Sequence, residues 1–475
     1  PQGVNDGLTW SGDASTALME RREWLWSGNW AEGVPPANPT TAAITFGVPG
    51  QNVISLLEAD RQIGTLNMYA TALTIAHTLD LGGKTLTIAD VLRPGMAQNF
   101  NTTITLTNGT IRMGTEEALA SIDARRGTLQ MAGDAVCWDV THLGGITMSD
   151  SAYGGAILDL RRAEIVGGIW QAQSLDIAGR QGRILIDPTT RINTFHIRGE
   201  TKLRPYLDYS YIGNPLETYS LGGVNLGKLP AGINLFFGVN SQNRGLLEIG
   251  QLRHGNGVRA SIAVAEGGGG AVTAYLAALR VGFSPSSSIV GTAYGMLDLA
   301  AMDSCLIDSD IIAIGTERAA PLDTDNINGT VRLPVGEVVA GTVTVGGQGV
   351  GAALLACSNT TVTVTNSVAF NKTARVTLSV GAEAGGLVVE RKAADALTIA
   401  EGARLTLNFT APGTERPHYA LRWLGNHAAT LNSWLDDGRM VIDDTGLGRK
   451  ATVFVSGAAT YIGVPPSGGT VLMLR

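Results

Sequence analysis

The sequence predicts an all-β fold, a right-handed parallel β-helix with a Trp-rich N-terminal cap and an α/β C-terminal cap. Three observations carry this expectation: the composition, a repeated strand unit ending in Gly, and the placement of tryptophan. Of 475 residues, 62 are Gly, 16% are charged and 6% are aromatic. That balance favours small and β-branched side chains over helix formers.

The repeat is clearest in the second half. Short alternating runs end in Gly at Leu279–Gly282, Ile312–Gly315, Val343–Gly346 and Leu378–Gly381, with glycines 33, 31 and 35 residues apart. A second series, usually opened by Gly, interleaves with the first at Gly295–Leu299, Gly329–Leu333, Thr361–Val364 and Gly386–Val389. A period near 33 residues with alternation and no 3.6-residue pattern means that each unit supplies strands rather than a crossover helix. Alternation turns Leu, Val and Ile inward and Thr, Arg and Asp outward, and Gly permits a corner at positive φ. The first half repeats this grammar less regularly, with strands expected around residues 73–75, 86–88, 104–106, 157–160, 175–177, 184–186 and 195–197. The Tyr-rich segment 202–229, with Tyr206, Tyr209, Tyr211 and Tyr219, is the main expected insertion.

Tryptophan marks the ends. Trp10, Trp24, Trp26 and Trp30 open the chain and Trp423 and Trp434 lie near its close, with Trp138 and Trp170 between them. A stack of coils needs its apolar cross-section and strand edges covered, and large aromatics cover area efficiently. Trp10, Trp26, Trp30, Trp423 and Trp434 are therefore the expected cap or interaction residues. A short helix is expected from Ser15 to Trp26, another from His427 to Asp437 stopped by Gly438, then strands around 440–442, 451–455, 460–464 and 471–474. The expected organisation is a cap over 1–46, a solenoid over 47–412 and a cap over 413–475.

The N-terminal run Trp10-Ser-Gly12, Trp26-Ser-Gly-Asn-Trp30, Gly33-Val-Pro-Pro36 and Ala42-Ala-Ile-Thr-Phe46 resembles the opening of bacterial autotransporter-associated β-strand repeat proteins. The run Trp423-Leu-Gly-Asn-His427, Leu431, Leu435-Asp-Asp-Gly438 and Thr460-Tyr-Ile-Gly463 is similar to their closing segment. The resemblance implies a parallel β-helix and an exported, cell-surface or extracellular location, and carries no catalytic residue with it.

Charge and hydropathy narrow the partners. The formal net charge is −7 and no Lys/Arg run with interleaved aromatics is present, so nucleic acid is not an expected partner. No stretch reaches the roughly 18 apolar residues of a membrane-spanning helix, and a chain opening at Pro1 reads as a processed export product. Cys137, Cys305 and Cys357 are far apart and without metal spacing, which reads as interior side chains rather than a disulfide framework.

Candidate chemistry is sparse. Asp303, Asp308 and Asp310 are the best carboxylate group, because residues two apart on a strand share a face as a general acid and base would. The neighbouring coils offer no evident Asp, His or Arg to match them. Asp323, Asp325, Asn326 and Asn328 form a calcium-loop-like cluster, but Ile327 takes a ligand position and Gly329 falls one place late. The histidines stand singly, and no nucleophile elbow or phosphate loop occurs. No cofactor or metal is expected. The leading reading is an extracellular structural or adhesive solenoid that self-associates, as a filament or sheath subunit, or contacts matrix components, with glycans as further partners. The rival reading is a polysaccharide lyase or glycoside hydrolase acting on a solenoid face.

Overall fold

Parallel strand ladders dominate the chain, built by the alternation seen in the sequence. The structure is a computed structural model that describes residues 7–10, 22–23, 37–39, 41, 43–46, 53–68, 74–94, 101–124, 127–131, 136–148, 156–178, 182–186, 189–204, 222–225, 232–252, 257–264, 269–285, 291–316, 326–382, 385–413 and 418–465. Nearly all its regular elements are strands, and one α-helix, Ala428–Asp436, is present among the described residues. Two units are distinguished, Pro1–Ile233 and Asn234–Arg475.

In the second unit the strands form three parallel ladders. In the first, Ala274, Ile307, Val338, Val362, Leu387 and Leu421 align in register from strand to strand, and all are buried. In the second, Leu247, Leu279, Ile312, Val343, Val368 and Leu397 do the same. The third runs Ile262, Leu297, Val331, Leu355, Val376, Leu405 and Met440. Strands such as Ala271–Phe283 and Ser304–Thr316 serve the first ladder with their opening half and the second with their closing half. Like side chains thus stack at about 4.8 Å intervals, so one inward row fills the interior while backbone N–H and C=O groups are paired.

The two Gly series turn out to touch each other. Gly250, Gly282, Gly315 and Gly346 occupy successive corners of the second ladder at φ between 60° and 84°. Gly295 and Gly329 belong to the third ladder, and a Cβ built on either would lie 2.2–2.3 Å from the amide nitrogen of Gly282 or Gly315. Gly250, Gly282 and Gly315 are thus packed against glycines of the facing strand, which is why two series interleave there, whereas Gly346 faces Ala374.

The period changes along the unit. Val272 pairs with Cys305 and Cys305 with Gly336, 33 and 31 residues on, but Gly336 pairs with Thr360 and Ala353 with Ala374, only 24 and 21 residues on. The shortened coils shift the sequence phase against the ladders. Leu378–Gly381 was expected to continue the first Gly series, yet its strand Ala374–Val380 lies in the third ladder, and Thr361–Val364 and Gly386–Val389 lie in the first rather than with Gly329–Leu333. Val345 pairs instead with Phe370.

The first unit follows the same rule with coils mostly of 22–29 residues: Ala43 with Thr65, Thr74 with Asn101, Val136 with Gly109, Ala156 with Gly127. The buried row Leu86, Ile111, Trp138 and Ile165 and the buried row Ile104, Leu129, Leu158 and Ile184 stack in register. Trp138 meets Trp170 at 5.8 Å between ring centroids, both fully buried, so tryptophan also fills the interior between the ends. Each first-half strand expected from the sequence is present wherever its residues are described. Lys202 and Leu203 close the strand Glu200–Leu203, and Gly222–Asn225 is a strand paired with Arg183–Leu185, so both flanks of the expected insertion belong to ladders; its four tyrosines lie outside the described residues.

At the C-terminal end the parallel order stops. Leu387–Val389 pairs in parallel with Leu421–Trp423, but His418–Leu424 then pairs antiparallel with Ala459–Val464, which forms an antiparallel hairpin with Thr452–Ser456. The expected helix spans Ala428–Asp436, and Gly438 at φ 77° follows its end. An antiparallel hairpin and a helix laid on the last strands remove the edge that another parallel coil would use. Of the helix expected from Ser15 to Trp26, only Arg22 and Glu23 are described, and they form a strand paired with Ser55 and Leu56.

Candidate functional site

Outward strand positions carry the polar chemistry, and part of it joins neighbouring strands of a ladder. Glu248 pairs with Arg280 at 2.7 Å, Asp298 with Arg332 at 3.0 Å and Asp139 with Arg112 at 2.8 Å, each between residues in register. Hydrogen bonds from Thr141 and Arg112 hold the Asp139 carboxyl below its ordinary value, against the desolvation that opposes them.

The candidate carboxylates sit on one such face. Asp308 and Asp310 both point outward from Ser304–Thr316, flanking buried Ser309. Asp303 precedes that strand and holds the previous turn, its Oδ2 accepting from the Gly270 amide at 2.9 Å. An arginine is in fact present. Arg244 reaches Asp308 with a fork of two bonds from Nη2, both 2.9 Å, while Nη1 donates to the Leu276 and Asp308 carbonyls and Nε to Ser241 O. Asp310 is 3.7 Å from the same guanidinium and largely exposed. The two adjacent coils place Tyr275 and Val339 beside Asp308, so, as expected, neither supplies a matching charge, and the cation comes from one coil further away. Gly245 aligns with Leu276 and Leu276 with Ser309, so Arg244 stands at the place of Asp308 two coils earlier. Nothing local betrays a partner 64 residues away; only a count of register over two coils would find it.

This arrangement locks rather than frees Asp308. Both carboxylate oxygens accept from a cation that is itself anchored to three carbonyls, a charge-assisted geometry suited to holding strands in register. Removing the arginine by Arg244→Ala leaves a half-buried carboxylate unmatched and is expected to cost about 1–3 kcal/mol of unfolding free energy. The double variant with Asp308→Ala is expected to lose less than the two single losses together, measured by denaturant titration as a double-mutant cycle.

The calcium-like cluster divides. Asp323 and Asp325 lie outside the described residues, whereas Asn326 and Asn328 belong to the strand Asn326–Leu333. Asn328 donates through Nδ2 to Asn326 Oδ1 at 2.8 Å and accepts from the Ala352 amide at 3.0 Å, so its amide serves the ladder. Among the described residues no three His, Cys, Asp or Glu side chains converge as metal ligands would.

Of the cap residues, Trp423 and Trp434 stack with ring planes 8° apart, and Trp423 also stacks on His427 at 3.7 Å. Trp423 is fully buried and its Nε1 donates to Arg391 O at 3.2 Å. These two are interior parts of the closure and offer no exposed ring for binding. Trp10 ends a strand paired through Phe46 with Ala43–Phe46, and Trp26 and Trp30 lie outside the described residues. The cysteines are free thiols; burial pushes Cys305 up to about 11 and Cys357 up to about 12, while Cys137 is half-buried. Burial likewise lowers the His418 pKa, with the Arg449 charge adding to it against a backbone hydrogen bond that raises it.

One outward row breaks the pattern of opposite charges. Arg375 aligns with Arg404, and the Leu405 amide donates to the Arg439 carbonyl in the next strand connection, so three arginines follow one another across the third ladder. The row is hidden in the sequence because its members belong to neither Gly series and their spacings, 29 and 35 residues, are unequal.

The fold is thus that of a β-rich, repeat-like protein with parallel ladders. No protein-family model matches the chain, and neither a curated protein nor a solved structure is significantly similar to it. No described helix is long and apolar enough to cross a membrane.

Proposed function

We propose that each unit is a right-handed parallel β-solenoid and that the protein is an extracellular or cell-surface structural element which assembles through further copies of itself or through matrix components. Three ladders entered in constant order support a closed three-faced coil, and parallel crossovers are overwhelmingly right-handed. The N- and C-terminal runs that resemble autotransporter-associated repeat proteins support export and a surface location.

The observation that carries the structural reading is the use of outward charge. Asp308, Glu248 and Asp298 are each held by an arginine of another coil, so these three outward carboxylates serve coil-to-coil contacts. Exposed apolar side chains such as Val350, Val335, Ile311 and Leu306 interrupt the polar surface and give assembly contacts something to bury. A heterologous contact between such surfaces that does not close on itself makes a fibre.

Light scattering and electron microscopy across a concentration series test this. Growth of mass with concentration into elongated particles is expected, and its loss in Ile311→Asp. Monomers at every concentration would remove the assembly reading. Release of reducing or unsaturated ends from a glycan panel, abolished by Asp308→Ala, would replace it with the enzymatic one.

A further inference from the structure

We infer that the cleft between Arg375 and Arg404 is an oxyanion-binding site, taking a single carboxylate, sulfate or phosphate group of a larger ligand. The cleft has a volume of 630 Å³ and is lined by Arg375, Glu401, Gly402, Ala403, Arg404, Asp437, Gly438 and Arg439. It lies at the last coil of the third ladder, beside the C-terminal closure, and is separate from the Asp308 face and from the exposed apolar positions used above.

Register creates the site. Arg375 and Arg404 are direct cross-strand neighbours in a parallel ladder, and like charges placed so destabilise a sheet. Two other cross-strand rows of this unit match a cation with a carboxylate, Glu248–Arg280 and Asp298–Arg332, and a third sets Arg259 over the Tyr294 ring. Here the third arginine does not supply the answer. Arg439 is occupied: its Nε donates to Asp437 at 2.8 Å and its Nη1 to Ile399 O at 2.9 Å, while its guanidinium lies 5.9 Å from the centre of the Trp434 ring. Its hydrogen bond to Asp437 also holds that carboxyl below the usual range, so this acid is committed to Arg439. At the C-terminus of Ala428–Asp436 a cation is moreover needed against the helix dipole, which gives Arg439 a structural task.

That leaves the other two. Arg375 uses Nη1 for the Ala374 and Gly402 carbonyls, both at 2.8 Å, which pins its side chain to the cleft wall with Nε and Nη2 unspent among the described residues. Arg404 makes no hydrogen bond or ion pair among the described residues, although it is exposed in the middle of the row. Two guanidinium groups on adjacent strands, one pre-oriented and one uncommitted, present planar forks that fit the oxygens of a carboxylate, sulfate or phosphate. Gly402 and Gly438 line the cleft; a Cβ on Gly402 would meet Lys372 Cγ at 3.1 Å, but one on Gly438 would meet nothing within 4 Å, so the Gly438 side has room for a group larger than a free ion. Glu401, exposed on the same wall, selects against a site for several negative charges and favours one oxyanion.

Calorimetric titration of the full chain with sodium sulfate, sodium phosphate and sodium glucuronate, at constant ionic strength, tests the assignment and separates a tetrahedral from a planar ligand. Saturable one-site binding of at least one anion is expected, weakened tenfold or more by Arg404→Gln and by Arg375→Gln and unchanged by Arg280→Gln, whose arginine is paired. Because Arg404 has no partner to lose among the described residues, Arg404→Gln is also expected to keep or raise the melting temperature without anion and to lose the rise that anion gives the parent protein. Absence of saturable binding, or equal weakening by Arg280→Gln, would overturn the site.

Discussion

Replacing Gly282 with alanine is expected to destabilise the second unit by about 3–5 kcal/mol, a very large effect for one methyl group. Two causes add. Gly282 sits at φ 60°, where an L side chain costs roughly 1–2 kcal/mol. The added Cβ would then lie 1.8 Å from the Asn328 carbonyl oxygen and 2.9 Å from the Gly329 Cα, both backbone atoms of the facing ladder that cannot rotate away. The controls separate the causes. Gly438 has φ 77° with open space around the missing Cβ, so Gly438→Ala is expected to show only the conformational part, about 1–2 kcal/mol. Gly315→Ala meets chiefly the Ala353 Cβ at 2.5 Å and is expected to fall between them. Urea titrations of the three variants check the order, and equal losses in all three would mean that the corner and the facing strand are not in contact.

Trp423→Ala is expected to cost a similar amount, about 3–5 kcal/mol, for a different reason. The indole is fully buried between His427 and Trp434, and its removal leaves a cavity under the only α-helix of the described residues. It also strips Arg391 O of its donor. Trp423→Phe keeps most of the stacking area and loses chiefly that hydrogen bond, so it is expected to cost no more than about half as much. Hydrogen exchange is the apt measurement, because a unit built of near-neighbour contacts loosens locally. Faster exchange is expected over His418–Val464 with little change in Ala271–Phe283. Uniform acceleration throughout the unit would show that the closure and the coils form one cooperative block.

The fold was more legible than the sites, and particular residues show why. The corners at Gly282, Gly315 and Gly346 were readable because positive φ restricts residue type wherever it occurs. Gly381 misled because it keeps the spacing without the conformation: coils shorten after Gly336, and its strand enters another ladder. Local periodicity cannot report a change of phase between ladders. Helix Ala428–Asp436 was readable from its flanking Gly438, whereas the antiparallel return of Ala459–Val464 onto His418–Leu424 depends on tertiary pairing. The same limit hid the sites. Asp308 was visible as a carboxylate, but its partner Arg244 is set by register across two coils, and the alignment of Arg375 with Arg404 follows only once Val376 is known to pair with Leu405.

The central claim, that successive segments stack as parallel coils in register, is tested most directly by the outward pair Leu306 and Glu337, which align across the first ladder about 4.8 Å apart. Cysteines placed at both positions in a Cys137→Ser background can be labelled with pyrene maleimide near neutral pH, where Cys305 and Cys357, with thiol pKa values near 11 and 12, stay protonated and buried. The account predicts strong excimer emission that persists when labelled protein is diluted with unlabelled protein and vanishes in denaturant. Monomer emission alone from the folded protein would contradict it.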